Sequence, residues 1–107
     1  MIIKTPPPPY YAVIFVSFQT NDTDGYSDIS KKLSEIAKNQ DGCYGEESVR
    51  DGMGISISYW KDLESIRKWK ENLDHQFAMK MGKEKWYSSY KVRIAKVERD
   101  YGFNKPL

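Results

Sequence analysis

The segment Tyr10 to Gln19, YYAVIFVSFQ, limits the possible folds more than any other stretch of the chain. Tyr, Val, Ile and Phe fit a pleated, half-buried surface, so the segment reads as a strand. Strand side chains alternate between two faces. Here Tyr11, Val13 and Phe15 fall on one face, and Ala12, Ile14, Val16 and Phe18 on the other. Both faces are apolar, so both must be kept from water. This is a first sign that the sheet does not simply face water.

The rest of the chain supplies what can cover it. With 107 residues the sequence is long enough for one domain. The first nine residues hold Pro6, Pro7, Pro8 and Pro9 in a row, an extended arm that cannot enter a sheet interior. The same run could serve as a ligand for a proline-reading domain. After the turn residues Asn21 to Gly25 (NDTDG), Tyr26, Ile29, Leu33, Ile36 and Ala37 form one helical stripe, which predicts a helix from about 26 to 40 stopped by Gly42. Cys43 to Asp51 is polar and weakly patterned, as an edge strand can be. Gly52 and Gly54 flank a hairpin turn, and Ile55 to Trp60 (ISISYW) alternates with period two. Asp62 can cap a second helix with the stripe Leu63, Ile66, Trp69 and Leu73. A break near Asn72 splits that segment. Asp74 is the expected cap of the second piece, which runs to about Ser89 with Phe77, Ala78, Met81 and Gly82 inward. Tyr90 to Tyr101 reads as the last strand.

The order β-α-β-β-α-β predicts an α+β, ferredoxin-like fold, with a four-stranded antiparallel sheet and helices on one face. Two helices cover one side only. An apolar sheet face left open is rare on a monomer, so a second copy is expected to cover it in a symmetric dimer. The alternative is a monomer whose own arm and tail lie over that face.

Composition bears on function mainly by exclusion. The net charge is +2, spread along the chain, whereas nucleic-acid binders concentrate a basic stripe. Lys80, Lys83, Lys85 and Lys91 interleave with Trp86, Tyr87 and Tyr90, a mixture that could stack bases or could be a solvated lysine face over an aromatic core face. The second reading fits the helical spacing, and no nucleic-acid partner is expected. No apolar run approaches the roughly 20 residues of a membrane span. No secretory leader is visible, and the single cysteine, Cys43, offers neither an internal disulfide nor a zinc site. A cytoplasmic protein without membrane partners is the expectation. Aromatic residues make up 14% of the chain, enough to line a pocket or a subunit interface.

The segments GEESVR (45–50), GISISYW (54–60), DLESIRKWK (62–70), His75, Gly82, Trp86 with Tyr87, and VERDYGF (97–103) carry a family resemblance. Over roughly Tyr10 to Phe103 the chain resembles the antibiotic biosynthesis monooxygenase family, within the dimeric α+β barrel superfamily. The chain thus divides into the proline-rich arm over 1–9, a domain over 10–103 that the resemblance covers, and a tail over 104–107. The resemblance implies two sheets packed face to face across a homodimer, and a pocket for a small molecule between each sheet and its helices. Haem degraders of the family are similar in using an Asn on the first strand, a Trp on the second helical segment and a His ten residues later. Here Trp69 fits, but Met79 stands at the His position and the first strand reads Val16, Ser17, Phe18 without Asn. No cofactor and no metal are therefore expected.

His75 is the only histidine, with an ordinary pKa suited to proton transfer at neutral pH. It is the candidate base or hydrogen-bond partner for a phenolic substrate; the alternative is a structural histidine in a first helical turn. Trp60, Trp69, Trp86 and Tyr87 are candidate pocket walls, and could equally be core or dimer contacts. Tyr59, Tyr87, Tyr90 or Arg93 could hold a substrate oxyanion. Glu46, Glu47 and Arg50 could make an ion pair across a dimer or simply solvate the edge strand, the second being the expectation, and Cys43 reads as a small hydrophobe. Two function classes follow. One is a cofactor-free monooxygenase of a small aromatic or polyketide-like compound. The other is a non-catalytic small-molecule binder, with atypical haem binding or degradation as a third reading.

Overall fold

Strand β1 (Tyr10–Gln19) takes the interior position that its two apolar faces demand. In the computed structural model, which describes residues 2–106 apart from the side chain of Leu73, the sheet order is β2-β3-β1-β4. The other elements are α1 (Tyr26–Lys38), β2 (Cys43–Asp51), β3 (Met53–Trp60), α2 (Leu63–Glu71), α3 (Leu73–Met81), a wide π turn (Gly82–Trp86) and β4 (Tyr87–Val97). All pairings are antiparallel. This is the expected ferredoxin-like α+β fold, with the polar segment 43–51 at one edge.

Register decides which side chains share a face. Across the sheet, Trp60 aligns with Tyr11 and Lys96, Ser58 with Val13 and Ile94, and Ser56 with Phe15 and Val92. Trp60 stacks on Trp69 of α2, so this is the face under the helices. The opposite face carries Tyr10, Ala12, Ile14, Val16 and Phe18 of β1, with Ile55, Ile57 and Tyr59 of β3 and Arg93 of β4.

Part of that second face is covered by the chain itself. The Ile3 N–H donates to Glu47 Oε2 at 3.0 Å, and the Tyr59 hydroxyl donates to Glu47 Oε1 at 2.8 Å. These two donors hold the Glu47 carboxyl below the usual carboxylate range, the Ile3 N–H having the larger effect. Burial and the adjoining Glu47 push Tyr59 up to about 12. From the other terminus, Asp100 accepts the Tyr10 hydroxyl at 2.5 Å. Arm and tail thus close the Tyr10–Tyr59 end of the face. Phe18, Val49 and Met53 at the other end remain exposed.

The helices differ from expectation in four places. α1 ends at Lys38, two residues early, because the chain already tightens there: the Asn39 N–H donates to the Ile36 carbonyl and the Gln40 N–H to the Ala37 carbonyl. Asn72, not Asp74, caps α3: its side chain accepts from the N–H groups of Asp74 and His75. Asn72 is extended (ψ 132°), which makes the expected break and re-phases the second piece. Phe77 consequently lies in the groove beside α1 instead of the core, and Leu63, at the first position of α2, faces solvent. The expected place of Leu73 in the α2 stripe concerns a side chain outside the described set, as positions 1 and 107 lie outside it in arm and tail. Finally, α3 stops at Met81 and the last strand begins at Tyr87 and ends at Val97. Two bonds pull the chain out of the helix there, Thr20 N–H to the Trp86 carbonyl at 2.8 Å and the Trp86 indole N–H to the Asp24 carbonyl at 2.9 Å.

Trp60 has 0% exposure and anchors the core. Trp60→Ala is expected to cost about 3–5 kcal/mol, and Asn72→Ala about 1 kcal/mol, both read from urea unfolding midpoints.

Candidate functional site

The helix break at Asn72 folds α3 back over the end of α2, and this places the only histidine. His75, in the first turn of α3, stacks on Trp69 with ring centroids 4.6 Å apart and planes at 19°. Trp69 in turn stacks on Trp60 at 6.3 Å and 28°. Three near-parallel rings therefore run from the sheet to α3.

The Trp69 carbonyl is left over at the end of α2 and takes the Asn72 N–H. It also lies 3.0 Å from His75 Nδ1. A carbonyl only accepts, so Nδ1 carries the hydrogen and Nε2 of the neutral ring holds the lone pair. Burial lowers the His75 pKa below its ordinary value; the Trp69 carbonyl works against this, and nearby Lys70 works with it. The N-terminal end of α3 also disfavours a charged ring. The result is a neutral imidazole with a fixed tautomer and a basic Nε2.

The remaining candidate residues are divided among other places. Trp60 donates its indole N–H to Ser58 Oγ at 2.8 Å and is wholly interior. Trp86 has 3% exposure and packs edge-on against Tyr26 at 5.5 Å, so it is core and unavailable to stack on a base. Lys85 beside it lies near Asp22 and Asp24. Tyr87 and Tyr90 both contact Phe15, at 5.4 and 5.3 Å, on the helix-side face. They lie near the Ser17 end of β1, which is six residues, about 20 Å, from the Tyr11–Trp60 pair. Burial, then the adjoining Tyr26 hydroxyl, raises the Tyr87 pKa. Arg93 aligns with Ile14 and so lies on the opposite face of the sheet from Trp69 and His75. Cys43 is half-buried, and burial raises its thiol pKa, the wrong direction for a nucleophile.

Arg50 belongs to the helix-side face as well, where reading it as an edge residue had not put it. Its guanidinium crosses Gly54 and donates to Ser17 Oγ at 2.7 Å. The turn is centred on Gly52, which places Arg50 opposite Gly54; a hairpin centred on Met53, as the flanking glycines suggested, would have paired Arg50 with Ser56. Among the described residues, no group of three His, Cys, Asp or Glu side chains is placed to hold a metal ion. No helix among them is long and apolar enough to cross a membrane.

In place of the expected ring-lined hollow, the helix-side face carries a partly covered apolar surface, with Trp60 and Trp86 buried in the core. Val13 and Phe15 are half-buried beneath the helix layer, while Val92 and Ile94 beside them on β4 are 46% and 53% exposed. The helix-side surface is thus an apolar shelf that opens toward β4. Two further cavities lie elsewhere. One of about 240 Å³ is bounded by Ile29, Lys32, Leu33, Asp74 and Phe77 between α1 and α3, and one of about 520 Å³ is bounded by Pro8 and residues 98–101.

No family model matches the chain. It is 46% identical over 98 residues to YqjZ of Bacillus subtilis, an uncharacterised protein, covering 90% of this chain and 86% of that one. It is 29% identical over 92 residues to a jasmonate monooxygenase, ABM, of Pyricularia oryzae, covering 81% of this chain but only 43% of the fungal protein. Among solved structures it superimposes on a mutant form of SnoaB of Streptomyces nogalater, a cofactor-independent oxygenase, with a TM-score of 0.72 at 7% identity, covering 85% and 95% of the two chains. Other matches in fold are described as antibiotic biosynthesis monooxygenases.

The half-buried, neutral His75 predicts a specific acid response. A free imidazole takes its proton near pH 6.5, and the folded one takes it lower. As pH falls, the unfolded chain protonates first. The stability due to the neutral ring is therefore complete above about pH 6.5 and is lost as pH drops toward the folded value. Glu47, Asp62 and Glu64, whose pKa values are depressed, act in a separate window below about pH 4.5. Urea midpoints of the wild type should fall between pH 7 and pH 5, and those of His75→Gln should fall clearly less.

Proposed function

We propose that this chain, a relative of YqjZ with the fold of the antibiotic biosynthesis monooxygenases, is a homodimeric, cofactor-free monooxygenase of that family acting on a small aromatic or polyketide-like compound. The observation that carries the reading is the Trp69–His75 stack, with its tautomer fixed by the Trp69 carbonyl. A planar substrate lies on the shelf formed by Val13, Phe15, Val92 and Ile94 and fills the side open toward β4. His75 Nε2 takes a proton from the substrate, which leaves an electron-rich carbanion or phenolate. That anion reduces O₂ by itself, so the protein must supply only a base, a dry surface and a partner for the oxyanion. For an activated CH₂ flanked by aromatic rings the balance is simple. The carbon becomes C=O with one oxygen atom from O₂, and the other oxygen leaves as water with the two hydrogens. The substrate is the reductant, so no further electron donor is consumed.

Trp69 acts as the wall that holds His75 flat. Trp60 and Trp86 hold the core around the site, and Tyr87 and Tyr90 bound the far end of the shelf. Arg93, on the open face of the sheet, acts at the subunit contact in this scheme. A second copy covers Ile14, Val16, Phe18, Ile55 and Ile57, the part of the open face that the arm leaves free. The single thiol suits a cytoplasmic location. A binder without catalysis is the competing reading, and it lacks any need for a neutral, half-buried imidazole.

Oxygen uptake with anthrone and with naphthoquinols separates the two. Wild-type protein should accelerate uptake over buffer, and His75→Ala should lower the rate by about 10²-fold or more. Equal rates for the two proteins would overturn the assignment of His75.

A further inference from the structure

A single register row on the helix-side face joins Arg50, Gly54, Ser17 and Tyr90 across all four strands. Arg50 Nη2 donates to Ser17 Oγ at 2.7 Å, and Nη1 lies 3.3 Å from the Ser17 carbonyl and 3.4 Å from the Gly52 carbonyl. Ser17 has 1% exposure, so the anchor is fixed in the sheet. The guanidinium can lie flat only because residue 54 has no side chain: a Cβ there would collide with it. Gly52, at φ +76°, makes the hairpin turn whose carbonyl it also reaches.

This cation has no acidic partner among the described residues, where the ion pairs involve Lys32, Arg67 and Lys85, and none involves Arg50. A guanidinium has five N–H groups, and the contacts to Ser17 and Gly52 do not use them all. Beside it stand Tyr87 and Tyr90, 6.0 Å apart and both against Phe15, and all three rings are only partly buried. Ser48 and Ser56 occupy the next row toward the middle of the sheet. The helix-side face is therefore divided. Its β2–β3 half carries Arg50, serine hydroxyls and, two rows from Arg50, Glu46, which accepts from Ser34 Oγ at 3.3 Å; its β1–β4 half carries Val13, Phe15, Val92 and Ile94.

We propose that Arg50 is an anion-binding residue for the guest of the helix-side shelf, which makes that guest an aromatic carboxylate or phenolate seated against Tyr87 and Tyr90. The remaining guanidinium N–H groups grip the anionic oxygen, and the Phe15–Tyr87–Tyr90 cluster takes the ring. Arg50 thus places on the helix-side face a positive charge that Arg93, on the other face, cannot supply. The inference rests on the shelf being a ligand site, though not on the chemistry assigned to His75.

The test compares 1-naphthoate with 1-naphthalenemethanol, which share a ring system and differ in charge, by isothermal titration calorimetry. The wild type should bind naphthoate at least about tenfold more tightly than the alcohol, the margin of one charge-assisted contact. Arg50→Gln should remove that preference while leaving affinity for the alcohol unchanged, and Arg50→Lys should keep part of it. Gly54→Ala, which displaces the guanidinium but retains its charge, should weaken naphthoate as well. Thermal melts of each variant confirm the fold. A brace with no ligand role predicts a different result, namely that Arg50→Gln lowers the melting temperature and weakens both compounds alike. Equal affinity of the wild type for acid and alcohol would overturn the anion assignment and leave the shelf standing. Binding of neither compound would overturn both.

Discussion

Everything in this structure follows from burying β1 on both of its faces. The strand lies inside the sheet, between β3 and β4. Its odd-numbered residues look toward the helices and its even-numbered ones away from them. The helix layer covers the first set incompletely, because α1 and the α2–α3 segment sit over β2 and β3 and leave the β4 side open. The arm and tail cover one end of the second set. Two apolar surfaces thus remain, and they carry the two functional proposals: a planar guest on the helix side and a second copy on the other.

Much of the fold was legible because it was written in local patterns. The alternation in ISISYW fixed β3, and the 3-and-4 spacing of Tyr26, Ile29, Leu33 and Ile36 fixed α1. Places where expectation and structure part are governed by contacts distant in sequence. Trp86 leaves a helical pattern because its indole reaches Asp24, 62 residues away in the chain, so β4 starts at Tyr87. Asn72 and Asp74 both had the chemistry of a cap, and only the backbone break decided between them.

The site was less legible than the fold, for a reason of register. Trp69 and His75 are six residues apart, and on an unbroken helix they would not face each other. The extended Asn72 brings the rings to 4.6 Å. Trp60 and Trp86 carry the same residue type yet serve the core, and composition cannot separate a wall from a filler. Arg93 and Arg50 show the same limit. One step of register sends Arg93 to the open face, and the missing Cβ of Gly54 lets Arg50 lie across the other.

The central claim is that the open sheet face is half of a subunit contact. Sedimentation velocity across micromolar to near-millimolar concentrations tests it most directly. The account predicts a species of twice the chain mass, converted to single chains when Ile55 or Ile57 is replaced by Lys. A wild-type protein that sediments as one chain throughout that range, with its native fold intact, would contradict it.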